Sequence, residues 1–338
     1  MKNIIKTLIV MFSSISLFTS VNAGELGVSG KAKATYNILS GKTNVGKGLG
    51  VTNELNFKAS GELDNGYTWS YSMELDPGEN STSPQSNANN DDTKLTLTTP
   101  YGTVGVFISE GGLDLEDAAS QSVYARPTDV GDPSGTSDNY TIDSYNNVQY
   151  HMPADLLPFG IVGKIAYATN TADTAAGSSG NNAGAAYTGS ATATGATATE
   201  IQVKAAPLDG LAIGASYFDF GGDQGMAKND QEAESGAYFA TYATGPFSIG
   251  YSEAYKATLL KDDSGTTTDS VEDYRQVNYS VAFAATDALS VSYERETSEA
   301  NKLDDTSVEQ ESSSVQVAYT MGGMTLAVVH SGHDNNSY

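Results

Sequence analysis

Residues 51–75 read VTNELNFKASGELDNGYTWSYSMEL. Val51, Leu55, Phe57, Ala59 and Leu63 alternate with Thr52, Glu54, Asn56, Lys58, Ser60 and Glu62. After Asp64-Asn65-Gly66 the pattern resumes, with Tyr67, Trp69, Tyr71, Met73 and Leu75 set against Thr68, Ser70, Ser72 and Glu74. A period of two sends one set to each face of a strand. The Asp-Asn-Gly tripeptide between them is a tight hairpin turn. Glu25–Ile38 alternates in the same way, with Lys31 and Lys33 on its polar face. Soluble sandwiches also alternate, so these strands fix the secondary structure and leave open what covers each face.

The connections carry the discrimination. Every second one is short, near 64–66, 100–102, 154–158, 207–210, 245–246, 286–288 and 321–323. The others are long and polar, near 39–50, 76–92, 109–144, 170–198, 219–234, 257–272 and 297–310. Short turns at one end and long loops at the other define an all-β meander, the layout of a transmembrane antiparallel β-barrel. Fifteen strands can be counted, whereas single-chain bacterial barrels close with an even number. The expectation is a 16-stranded barrel whose closing C-terminal strand is missing from this chain. His333–Tyr338 reads as the start of an outward loop, and a miscounted weak strand at Thr199–Ala206 is the rival explanation.

Residues 1–23 form an address. Lys2 and Lys6 precede the apolar run Leu8–Phe18, and Val21-Asn22-Ala23 supplies small residues before Gly24. That is a cleavable signal peptide, too short to span a bilayer, which takes about 20 apolar residues. One barrel domain follows over 24–338. Without the leader, 15 basic side chains face 41 acidic ones. Such a field repels phosphate and excludes a general nucleic-acid binder. The absence of cysteine excludes disulfide scaffolds and thiolate metal or nucleophile chemistry. His151, His330 and His333 have no ligand spacing, and no G-x-S-x-G occurs, so no metal, cofactor or catalytic site is expected and the chain is read as non-enzymatic.

Three stretches carry a family resemblance. Residues 95–106 (LTLTTPYGTVGV) form the hairpin before the third outward loop; Tyr145–Tyr150, Pro153 and Phe159-Gly160 follow that loop; and Leu63–Gly66 makes the first short turn. In this order and spacing the chain resembles the Gram-negative general diffusion porins over essentially all of 1–331. The resemblance implies an outer-membrane, water-filled channel for passive diffusion of ions and small hydrophilic solutes. It implies a homotrimer in contact with outer-membrane lipid and lipopolysaccharide. It also implies that the third loop, at about 109–144, folds inward to make a constriction of acidic loop residues facing basic wall residues. On this chain those are Glu110, Asp114, Glu116 and Asp117 against Lys33, Lys58 and Lys94. The chain departs from the family in its missing last strand and in having only Arg126, Arg275 and Arg295, so lysine has to serve on the wall.

Further expectations follow from parity. Lys31, Lys33, Lys58, Lys94, Lys164 and Lys204 all fall on polar faces, as they must if the other face meets lipid, where a lysine costs about 2–4 kcal/mol at mid-depth. Tyr67, Trp69, Phe159, Phe247 and Leu289 near the short turns, and Tyr36, Tyr217 and Tyr255 near the long loops, fit two interfacial girdles. Gly30, Ala32, Ala34, Ala59 and Gly61 form a wall of small residues suited to a subunit contact. Acids at 262–263, 269, 272–273, 304–305 and 309 favour cation entry and could loosely hold Ca²⁺ or Mg²⁺. A secreted β-rich surface or adhesin protein without a pore is the alternative; it would bury its apolar faces.

Overall fold

The computed structural model describes residues 26–40, 45–77, 88–130, 138–169, 171, 197–221, 229–258, 260–261 and 271–335. The leader, most of the low-complexity stretch 171–199 and the loop acids 262, 263 and 269 lie outside these residues. The strands are β1 (Gly27–Ser40), β2 (Val45–Glu62), β3 (Thr68–Pro77), β4 (Ala88–Thr99), β5 (Gly102–Ile108) and β6 (Asn147–His151). They continue as β7 (Val162–Ala168), β8 (Thr197–Leu208), β9 (Leu211–Gly221), β10 (Asn229–Gln231), β11 (Glu234–Thr244) and β12 (Phe247–Ala257). The last are β13 (Leu260–Lys261), β14 (Val271–Ala284), β15 (Leu289–Lys302), β16 (Ser307–Met321) and β17 (Met324–Asp334). Fifteen of them form one antiparallel meander in chain order; β10 and β13 make a separate two-stranded ribbon.

The fifteen-stranded sheet agrees with the count from sequence. Among the described residues β1 and β17 are its two edges and do not pair with each other. The strand ends differ in places. Asn229–Gln231 and Leu260–Lys261 were expected to be loop; their pairing extends the wall beyond β11 and β12. His333 was expected in a loop, yet it lies in β17 opposite Ser312. Its polar, inward-facing side chain continues the alternation that the run of polar residues had obscured. The first hairpin closes as its sequence requires: Gly66 takes φ +80°, its N–H donates to Leu63 O at 2.8 Å, and Asn65 Oδ1 accepts from Tyr67 N.

Burial is inverted relative to a water-soluble fold. Glu200, Glu294 and Gln316 on β8, β15 and β16 are wholly buried, while Ile249, Val328 and Leu326 are 53%, 66% and 67% exposed. The inward positions of β8 to β16 carry buried Gln202, Ser216, Ser252, Asn278, Ser292 and Ser314. The outward positions carry Val, Ile, Leu, Phe and Tyr. Leaving one such side chain in water forgoes about 1.5–3 kcal/mol, so the outer band requires hydrocarbon around it. Phe159, Phe247, Tyr36, Tyr217 and Tyr255 of the predicted girdles are all exposed on this outer surface. Phe247 packs on Phe283 with ring centroids 4.8 Å apart.

Candidate functional site

What fills the inside is the third outward loop, described over residues 109–130 and 138–146. It runs along the inner wall, held strand by strand through its own backbone. Asn147 Nδ2 donates to Glu110 O, and Gln149 Nε2 donates to Gly111 O. Glu200 Oε2 accepts from Leu113 N at 3.2 Å and from Ile142 N at 2.9 Å, and Gln202 Nε2 donates to Leu113 O at 2.7 Å. Further along, Ser216 Oγ accepts from Leu115 N, Ser252 donates to Glu116 O, and Ser280 donates to Ala119 O at 2.6 Å. Ser120 donates to Glu294, Ser292 Oγ accepts from Val123 N, and Gln316 Oε1 accepts from Tyr124 N and Ala125 N. His333 Nε2 lies 3.0 Å from Val130 O at the far end. The returning segment is tied by Lys256 Nζ to Asp138 O, with the ammonium 4.6 Å from the Tyr140 ring.

Packing reinforces these bonds. Leu113 and Ile142 join Phe218 and Phe220 in one buried cluster; Leu115 and Ala119 join Ala237, Phe239 and Ala254 in another. The loop lies so close to β12 that a Cβ on Gly250 would stand 1.8 Å from Ala119 O. A polar cavity of about 20 Å³ lies between Arg126 and the β12–β16 wall, room for a single water. Arg126 is paired with Asp117, Asp129 and Glu296. Although burial pulls the other way, these carboxylates hold its guanidinium above its ordinary pKa.

The expected constriction residues divide into two groups. Lys94 on β4 forms an ion pair with Glu110. Lys33 on β1 places its Nζ 5.8 Å from the centre of the Tyr124 ring, so the free edge of the loop does approach the β1 wall. Lys58 is exposed, in register with Ser72, which in turn pairs with Lys94. Asp114 and Glu116 are turned into the docked side. Asp114 accepts from Asn139 Nδ2, Ser216 Oγ and Glu116 N, and Glu116 accepts from Asn139 N at 2.9 Å. Burial, then the neighbouring Asp114 and Asp117 carboxylates, push the Glu116 carboxyl up to about 9. Asp117 is half-exposed and paired with Arg126. The two groups are not brought together as a single ring of opposed charges.

Sequence reasoning missed the docking residues themselves: Glu200, Glu294, Glu296, Gln316 and the serines between them. Their signal was present as carboxylates and amides at inward parity in mid-strand, among small hydroxyl residues. Among the described residues no group of three or more His, Asp or Glu is placed to hold a metal ion.

A curled antiparallel sheet with a polar interior, an apolar outside and a long loop folded inward defines an outer-membrane β-barrel channel. The chain belongs to the Gram-negative porin family, whose model matches residues 8–338. Among solved structures it is similar to a porin refined at 1.8 Å, with 14% identity, a TM-score of 0.61, and 92% of this chain and 96% of that one covered. It is similar to Salmonella typhi OmpF, solved in complex with daunomycin, at 14% identity and TM-score 0.62, over 91% of this chain and 90% of that one. A loop-deletion variant of the Vibrio cholerae outer-membrane protein OmpT aligns at 13% identity and TM-score 0.55, over 93% of each chain. No curated protein matches. The chain is thus an outer-membrane porin, a water-filled channel for passive diffusion of ions and small hydrophilic solutes. The inverted burial and the family together replace the reading as a pore-less surface protein.

Proposed function

We propose that solutes pass between the free edge of the third loop and the lysine wall of β1 to β4, through a constriction set by Lys33, Lys58, Lys94, Glu110 and Asp117. Asp114 and Glu116 act one step back, as the polar lining of the loop's seat. The observation that carries this reading is the one-sided docking of the loop. Among the described residues its backbone is tied to the wall from β6 round to β17, so its untied edge faces β1 to β4. Opposed charges across that gap order water and tune passage without tight binding. The acidic outer loops raise the local cation concentration, which gives a mild cation preference against the pull of the lysines. Glu272, Asp273, Asp304, Asp305 and Glu309 attract Ca²⁺ or Mg²⁺ diffusely beside anionic lipopolysaccharide. The channel is non-catalytic. The small-residue wall of β1 and β2 is the homotrimer contact.

The test is the zero-current potential in a KCl gradient across a planar bilayer. Replacing Lys33, Lys58 and Lys94 by glutamine raises the cation-to-anion permeability ratio, by up to about fivefold for each charge that stands within about 4 Å of the ion path in water. Replacing Glu110 and Asp117 by their amides lowers it. An unchanged potential in both variants would place the constriction elsewhere.

A further inference from the structure

Below the third loop lies a basic feature that the constriction does not use. Lys164 on β7 and Lys204 on β8 face inward, and neither has an ion-pair partner among the described residues. Both are half-buried. In a chain with 41 acidic and 17 basic side chains, two neighbouring ammonium groups without a carboxylate are not explained by the fold. The register sets them side by side. Lys164 pairs with Gln202 on one side and His151 on the other, and Lys204 lies two residues beyond Gln202. Such diagonal neighbours are about 7–8 Å apart. A tetrahedral oxyanion between them reaches both ammonium groups at once.

The surroundings fit an anion. His151 is hydrogen-bonded to Gln149 Oε1 at 2.7 Å and stacks by Phe107, with ring centroids 5.9 Å apart. Lys204 lies 6.0 Å from the Phe239 ring centre, so an aromatic face and not a carboxylate supports its ammonium. Lys94, the next cation on this wall, is already committed to Glu110. Position matters as well. Lys164 is two residues into β7, and Lys204 is four from the end of β8. Lys204 stands opposite Val162, the first residue of β7, and Lys164 is two residues, about 7 Å, farther from the short-turn end. Gln202, directly opposite Lys164, carries Leu113 of the third loop. The pair therefore sits at the lower edge of the loop, on its periplasmic side.

We propose that Lys164 and Lys204, flanked by His151, form an anion station just past the constriction, for small dianionic oxyanions such as inorganic phosphate and phosphomonoesters. The station gives such anions a counter-charged resting place after the acidic mouth, and makes their passage saturable from the periplasmic side. It rests on the reading of the inner face as the solute path and goes beyond the constriction in site and in ligand class.

The experiment uses the full chain inserted into a planar bilayer from one side, with potassium phosphate added at about pH 7.5, where the dianion predominates, and ionic strength held constant with KCl. Chloride current is expected to fall saturably with phosphate on the short-turn side, and less from the other side. Lys164→Gln with Lys204→Gln is expected to raise the half-blocking concentration by about fivefold or more per lysine. The paired Lys→Arg variant is expected to keep the block, and heat-modifiable gel migration retained by both variants shows that the channel has folded. Equal block in the glutamine pair, or equal block by chloride at matched ionic strength, overturns the station. Lys33→Gln separates the two readings: it is expected to move the KCl zero-current potential without moving the phosphate block. If the potential does not move while the block persists, the constriction reading alone falls. Glucose 6-phosphate in place of phosphate distinguishes the free ion from its esters.

Discussion

Two walls of one cylinder differ in what the third loop asks of them. From β8 to β16 the inward positions include serine, asparagine, glutamine and buried glutamate, whose oxygens and amides meet the loop's backbone, beside phenylalanine and alanine that pack on its apolar side chains. From β1 to β4 the inward positions carry Lys31, Lys33, Lys58 and Lys94, and the loop meets Lys94 through Glu110 and Lys33 through the Tyr124 ring. Where a wall must hold a chain with only two short 3-10 turns among its described residues, it supplies partners for otherwise orphaned N–H and C=O groups. Where it must face moving water, it supplies charge. One loop thereby has a fixed back and a working front.

The sharpest way to break this contrast is at Gly250. A valine there pushes its Cβ into Ala119 O, a backbone atom that cannot swing aside. The expected result is about 1–3 kcal/mol of overpacking strain, a loop lifted from β12, faster hydrogen exchange at Leu115–Ala119 and a changed unit conductance. Unaltered exchange would mean that the loop is not pressed on β12. A smaller effect is expected from Gln316→Leu. The side chain is wholly buried, accepting from Tyr124 N at 3.1 Å and Ala125 N at 3.3 Å, so its loss leaves two amides without their acceptor. Each orphaned group costs about 1–3 kcal/mol when it stays dry. The lesion sits at one point on the loop, so flickering of the single-channel current is the expected readout, with Ser72→Val on the lysine wall as a quiet control.

The mildest probe is pH. The folded Glu116 carboxyl titrates at about 9, against 4.5 for the ordinary group. The unfolded chain therefore releases this proton first. The loop's seat, as far as this residue sets it, is firmest below the ordinary value and weakens as pH rises towards the folded one. Between about pH 6 and pH 9.5 the zero-current potential is expected to drift towards cations as the carboxylate appears, and Glu116→Gln is expected to flatten that drift.

Much of the barrel was legible from alternation alone. Residues 51–75 place Lys58 inward and Trp69 outward because a strand has only two faces, and the turn at Gly66 fixes the register. The long strand ends were less legible: β16 runs from Ser307, five residues before the stretch Ser312–Tyr319 that alternates clearly, because Ser-Val-Glu-Gln-Glu carries little apolar contrast. Of the candidate site, Lys33 and Lys94 could be placed on the inner face from parity, and Glu110 on an inward loop from the family resemblance. Asp114 and Glu116 could not, because nothing local tells an acid at the water edge of a loop from one folded back on Asn139 and Ser216. The partners of that turn come from strands about a hundred residues further along the chain, beyond the reach of any local pattern.

That remoteness has a consequence for assembly. Ser122 and Ala125 find their partner in Gln316, and Val130 finds His333. Nearly the whole polypeptide must therefore emerge and curl before the narrowing element has anywhere to settle. Curling of the sheet precedes calibration of the bore, and in a half-inserted intermediate the eyelet is still unset.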